Sequence, residues 1–194
     1  MPAWANAVVG GWQLSGVMSL YGGVPATVDA TPAGGMTGSG VRQQFPDLKP
    51  GASNNPSSGT STGCTLRLPG GTDANPNTRT IAAGTPLGTP DLYFDPCVFT
   101  PAPTLQTLGN LGRNTLILPG RATVDFTLSK SYNVTEAAKL QFRLEAYNIL
   151  NRANIGIPVV NSFDANNRAN AEAGRITSTS TSARQIQFGL KLTF

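Results

Sequence analysis

The chain of 194 residues has no histidine, two cysteines, ten acidic and fourteen basic side chains. Without histidine, Ser–His–Asp and Cys–His nucleophilic arrangements are excluded. Two carboxylate pairs have spacings worth weighing. Asp125 and Glu145 are the sort of pair that cleaves glycosides. Both, however, fall on the polar side of alternating segments, with Lys130, Lys139 and Arg143 near them in sequence. Solvated ion pairs are therefore the preferred reading, with Asp125 opposite Arg143. Asp91 and Asp95 flank Leu92-Tyr93-Phe94, but two carboxylates fall short of the roughly 6–8 oxygens that calcium takes. The glycines at Gly70-Gly71 and from Gly109 to Gly112 read as turns, not phosphate loops. No catalytic residue, cofactor or metal is expected.

Cys64 and Cys97 match no CxxC spacing, and two thiols alone do not make a zinc site. Two free buried thiols are one reading. An even count inside a Gly/Ser/Pro-rich stretch favours the other, a disulfide formed in an oxidising compartment.

The elements that position these residues are strands. In Arg184–Phe194, apolar side chains fall at 186, 188, 190, 192 and 194, and polar or tiny ones alternate with them. That period of two gives a strand with one apolar face. Its length suits a tilted bilayer crossing, which takes about 9–11 residues. Similar alternation covers 12–21, 121–132 and 139–149. Ala, Leu, Glu and Lys in the third of these favour helix, but the period there is also two. One long polar stretch (22–120), a short turn and a second long stretch (150–183) connect the strands. The first long stretch shows no sustained period and no evident core, which argues against a compact soluble domain. Short strands are expected within it at most near Thr80-Ile81 or Leu92-Tyr93-Phe94.

An amphipathic strand also suits a soluble β-sandwich. Long, short, long connections instead match an outer-membrane barrel, with periplasmic turns and extracellular loops. The expected fold is all-β: an antiparallel long-stranded sheet, the C-terminal segment of a transmembrane β-barrel. Leu14, Phe126, Leu128, Leu140, Phe142, Leu144, Phe188, Leu190 and Leu192 would then face lipid. Trp4, Trp12 and Tyr132 would lie near the periplasmic interface, where aromatic belts occur. Pairing Asp125 with Arg143 across the turn also sets Phe126 against Phe142. A looser turn would put Asp125 opposite Glu145 or Tyr147.

Charge and composition fit this picture. The net charge of +4 is too mild for a nucleic-acid partner. No apolar run is long enough for a transmembrane helix. Met1-Pro2-Ala3-Trp4 lacks the basic start and apolar core of a signal peptide, so a chain complete in itself would be expected in the cytoplasm.

Several stretches resemble the C-terminal part of TonB-dependent outer-membrane receptors, most closely the Oar-like group with a carboxypeptidase-regulatory-like N-terminal domain. They are Gly11-Trp12-Gln13-Leu14-Ser15-Gly16, Gly109-Asn110-Leu111-Gly112-Arg113-Asn114, Leu140 through Asn154, and Ala183 through Phe194. The middle from about 30 to 100 matches weakly. The resemblance implies a share in a plugged barrel that imports a scarce ligand. It implies outer-membrane lipid, the rest of the receptor (plug and other strands), an imported ligand and the barrel assembly machinery as partners. Phe194 resembles the terminal aromatic that this machinery reads. The chain departs from the family in lacking a plug and a TonB box and in having about four strands, so a receptor fragment is expected. The alternative is a self-standing interaction module, either a β-sandwich or a protomer of an oligomeric barrel.

Overall fold

A computed structural model describes residues 8–30, 45–72, 74–101, 109–164 and 166–194. Trp4 lies outside the described residues. In chain order the strands are β1 (Trp12–Tyr21), β2 (Pro25–Ala26), β3 (Asp29–Ala30), β4 (Asp47–Leu48), β5 (Cys64–Arg67) and β6 (Thr78–Ile81). A 3-10 turn, Pro96–Val98, precedes β7 (Phe99–Thr100) and β8 (Leu116–Ile117). Then come β9 (Arg121–Asn133), β10 (Lys139–Tyr147), β11 (Asn161–Phe163) and β12 (Gln185–Thr193). The chain divides into two units, Met1–Gly22 with Gly120–Asn154 and Thr179–Phe194, and Gly23–Pro119 with Ile155–Ser178.

The first unit is a four-stranded antiparallel sheet in the order β1-β9-β10-β12. Every pairing joins residues of the same parity, even to even and odd to odd. One row across the sheet therefore reads Leu14, Leu128, Leu144, Phe188, and the next Trp12, Lys130, Phe142, Leu190. Period-two sequence thus becomes one continuous apolar face. The outer edges of β1 and β12 are unpaired among the described residues.

The register between β9 and β10 corrects the expectation. Asn133 pairs with Lys139 and Phe126 with Ala146, so the ladder leaves Asp125 level with Tyr147 and sets Arg143 against Ser129. The cause is the turn. Asn133-Val134-Thr135 would have to bend tightly to bring Asp125 to Arg143, and β-branched residues resist the positive φ that tight hairpins need. The chain instead closes a wider loop, with Val134 N donating to Ala138 O at 2.8 Å and Thr135 N donating to the same oxygen at 3.1 Å.

The second unit overturns the expectation of a coreless loop. Val28, Phe45, Phe94, Phe99, Leu111, Leu116 and Phe163 pack as one buried cluster. Its two chain segments are tied directly. β3 pairs in parallel with β11, Tyr93 N donates to Gly174 O at 2.7 Å, and Ile176 N donates to Pro90 O at 2.7 Å. Leu92-Tyr93-Phe94 is core rather than strand. Where Leu118 N donates to Val24 O at 2.9 Å, Gly23 passes so close that a Cβ would collide with the Leu118 carbonyl.

Candidate functional site

The apolar face is the main candidate for function. Leu14 is 67% exposed, Met18 65%, Phe188 74% and Leu190 73%. Phe126, Leu128, Leu140, Phe142 and Leu144 share this face and are partly exposed. Leu192, on the same face, is exposed. The Phe142 and Phe188 rings lie 6.4 Å apart. A sandwich buries such a face against a second sheet; no sheet covers this one among the described residues. Soluble monomers rarely leave a contiguous apolar surface of this kind uncovered.

On the opposite face the predicted ion pair is absent. Asp125 Oδ1 accepts from the backbone N–H of Asn148 at 2.8 Å. Arg143 reaches along its own strand to Glu145, Nη1 to Oε1 at 3.4 Å. Lys130 is not beside either carboxylate's face at all: even-numbered, it stands on the apolar side, opposite Trp12 and Phe142.

Sequence reasoning missed the polar knot where β10 ends. Asn148 and Asn151 adopt φ of 48° and 50°, a left-handed backbone that asparagine tolerates better than most residues. Asn148 Nδ2 donates to Arg152 O at 3.0 Å and to Ser182 O at 3.1 Å. Asn151 Oδ1 accepts from Arg184 N at 3.0 Å. Asn154 is fully buried. The available signal was Asn148, Asn151 and Asn154 at intervals of three directly after a strand.

In the second unit Cys64 and Cys97 form a disulfide, with an S–S distance of 2.06 Å. It fastens β5 to the 3-10 turn. Asp95 lies beside it, 1% exposed. Its carboxylate accepts from Ser61 Oγ at 2.8 Å, Thr62 N at 2.8 Å, Thr62 Oγ1 at 3.0 Å and Cys97 N at 3.1 Å. Those donors offset the burial of its charge, so Asp95 organises the loop rather than waiting for a cation. No cluster that would hold a metal occurs among the described residues. Arg79 Nη1 donates to Ala171 O at 2.7 Å and Ala173 O at 3.0 Å. Burial, and then the Arg175 charge, lower its pKa, while Glu172 opposes them. Burial raises the pKa of Tyr93, whose hydroxyl donates to Ile117 O at 2.9 Å.

An antiparallel sheet with one exposed apolar face and one polar face, long connections at one end and a short turn at the other, defines the wall of an outer-membrane β-barrel. The chain belongs to the outer membrane β-barrel domain family, whose model matches residues 2–187. No curated protein and no solved structure matches it. The protein is thus an outer-membrane protein.

Proposed function

We propose that this chain is the C-terminal part of a TonB-dependent receptor of the Oar-like kind, supplying part of the barrel wall and the extracellular loops of a ligand-uptake protein. The observation that carries the reading is the second unit. Two long connections of a membrane sheet share a hydrophobic core, and a disulfide staples the first of them. A receptor needs preformed loops that present a fixed surface to its ligand. The sequence resemblance in Leu140 through Asn154 and Ala183 through Phe194 supports the same reading. Under it, lipid covers the apolar face, further strands and a plug complete the barrel, and the assembly machinery reads Phe194. It assigns no catalysis to the chain.

The test is solute accumulation in cells with and without the parent gene, each with and without TonB. A solute whose uptake needs both genes supports the receptor. If the protein is in the outer membrane and no solute shows that double dependence, the reading fails.

The unpaired edges of β1 and β12 favour one second reading, a four-stranded protomer that closes a barrel with copies of itself. The mass of the chain in detergent separates the two: a discrete oligomer supports self-assembly, and a monomer supports a receptor part.

A further inference from the structure

Among the strand residues on the apolar face, Lys130 alone is charged. A lysine facing lipid is costly at the bilayer midplane and nearly neutral at the interface. Lys130 lies near the end of β9 that leads into the short turn. Its Nζ donates to the Val8 carbonyl at 2.7 Å and stands 4.8 Å from the centroid of the Trp12 ring. Trp12 Nε1 donates to the same carbonyl at 3.0 Å. One backbone oxygen thus gathers an indole and an ammonium at a single spot. The ammonium carries three donors, and no carboxylate lies within ion-pair reach of it among the described residues. Tyr132 follows two residues later on the same face, 47% exposed, and Phe194 is 96% exposed.

We propose that Trp12, Lys130 and Tyr132 form a docking site for an anionic phospholipid headgroup in the periplasmic leaflet. This rests on reading the sheet as a barrel wall with the turn 134–138 on the periplasmic side. The aromatic side chains sit at headgroup depth, where amphipathic rings are favoured. Lys130 extends its stem along the apolar face and delivers its charge to the interface. There it has donors left for a phosphate oxygen, and an opposite charge compensates the cation in a region of lowered dielectric. The Val8 carbonyl keeps the ammonium from swinging away, so the site is built before lipid arrives.

The test uses the chain with Trp4→Phe, so that Trp12 alone reports, reconstituted into phosphatidylcholine vesicles. Brominated phosphatidylglycerol and brominated phosphatidylcholine are compared at equal mole fraction as quenchers of its fluorescence. The expected result is several-fold stronger quenching by the anionic lipid. Lys130→Gln removes the preference, Lys130→Arg keeps it, and added inorganic phosphate does not compete. Equal quenching by the two lipids overturns the site while leaving the barrel reading intact. A preference that survives in Lys130→Gln, or that inorganic phosphate abolishes, overturns it as well. Quenching by neither lipid, with β-sheet circular dichroism retained, overturns both the site and the barrel reading beneath it.

Discussion

Asn154 grips both backbone groups of Ala122. Its Oδ1 accepts from Ala122 N at 2.8 Å and its Nδ2 donates to Ala122 O at 3.0 Å, so the side chain behaves like one more strand residue beside β9. The same Nδ2 donates to Thr181 Oγ1 at 3.0 Å, and Ser180 N donates to Asn154 O at 2.8 Å. One buried amide therefore joins the start of β9 to the approach to β12.

Replacing Asn154 should be expensive for its size. Asn154→Ala strands the N–H and the C=O of Ala122, at up to about 1–3 kcal/mol for each. The upper end is reached only by fully buried groups, and Ala122 is half-buried. The expected outcome is a loss of roughly 2–4 kcal/mol in urea unfolding of the reconstituted protein. Thr181→Val removes one partner only and should cost about 1 kcal/mol or less. Equal costs for the two variants would show that the Ala122 contacts contribute little.

Arginine substitutions should read the two faces of the sheet. Leu144→Arg or Phe188→Arg, one row further from the turn than Lys130, places a cation toward lipid and should cost about 2–4 kcal/mol if the site lies near the midplane. Gln187→Arg points to the polar face, opposite Glu145, and should be close to neutral. Reversible folding into vesicles measures both, and a neutral Leu144→Arg would contradict lipid exposure.

Removing the disulfide should loosen the second unit. Its cysteines are 33 residues apart, and the chain-entropy relation gives about 3–4 kcal/mol for a loop of that size. Cys64→Ser/Cys97→Ser should speed proteolysis within 45–101 while leaving Lys139–Tyr147 protected. Cleavage rates unchanged from wild type would show that the loop core holds without the staple.

Tyr93 makes stability fall in alkali. Its folded pKa is raised by burial, so the folded state binds the phenolic proton more tightly than the unfolded chain does. The contribution is complete below the unfolded value of about 10 and is lost as pH climbs through the raised folded value. Tyr93→Phe should remove this slope and cost about 1 kcal/mol at neutral pH through the lost bond to Ile117 O. Unfolding curves at neutral and alkaline pH check both parts.

The membrane sheet was legible because each long strand repeats one rule residue after residue, as in Gln185-Ile186-Gln187-Phe188. The second unit was not, because its core draws single residues such as Phe45, Phe94 and Phe163 from two distant segments, and no window of the chain contains enough of them to show a period. Charge complementarity between Asp125 and Arg143 points to the wrong register because turn chemistry outranks it. At an exposed polar face such a pair is worth at most about 1 kcal/mol, less than straining Val134 and Thr135 into a tight hairpin. Asn154 is not legible in the sequence, because asparagine in a polar stretch reads as solvated loop and only tertiary structure reveals that it is buried.

The same-parity pairing carried across β1, β9, β10 and β12 gives the gene a grammar of permitted length changes. Losing one codon inside Arg121–Asn133 would invert the rest of that strand, turning Thr127 and Ser129 outward and Leu128 inward. Losing two would shorten the stave and keep its faces. In the connections no such parity applies, so codons can be gained or lost singly there wherever the buried cluster is spared. Length variation among descendants of this sequence should therefore come in twos within the staves and in any number between them.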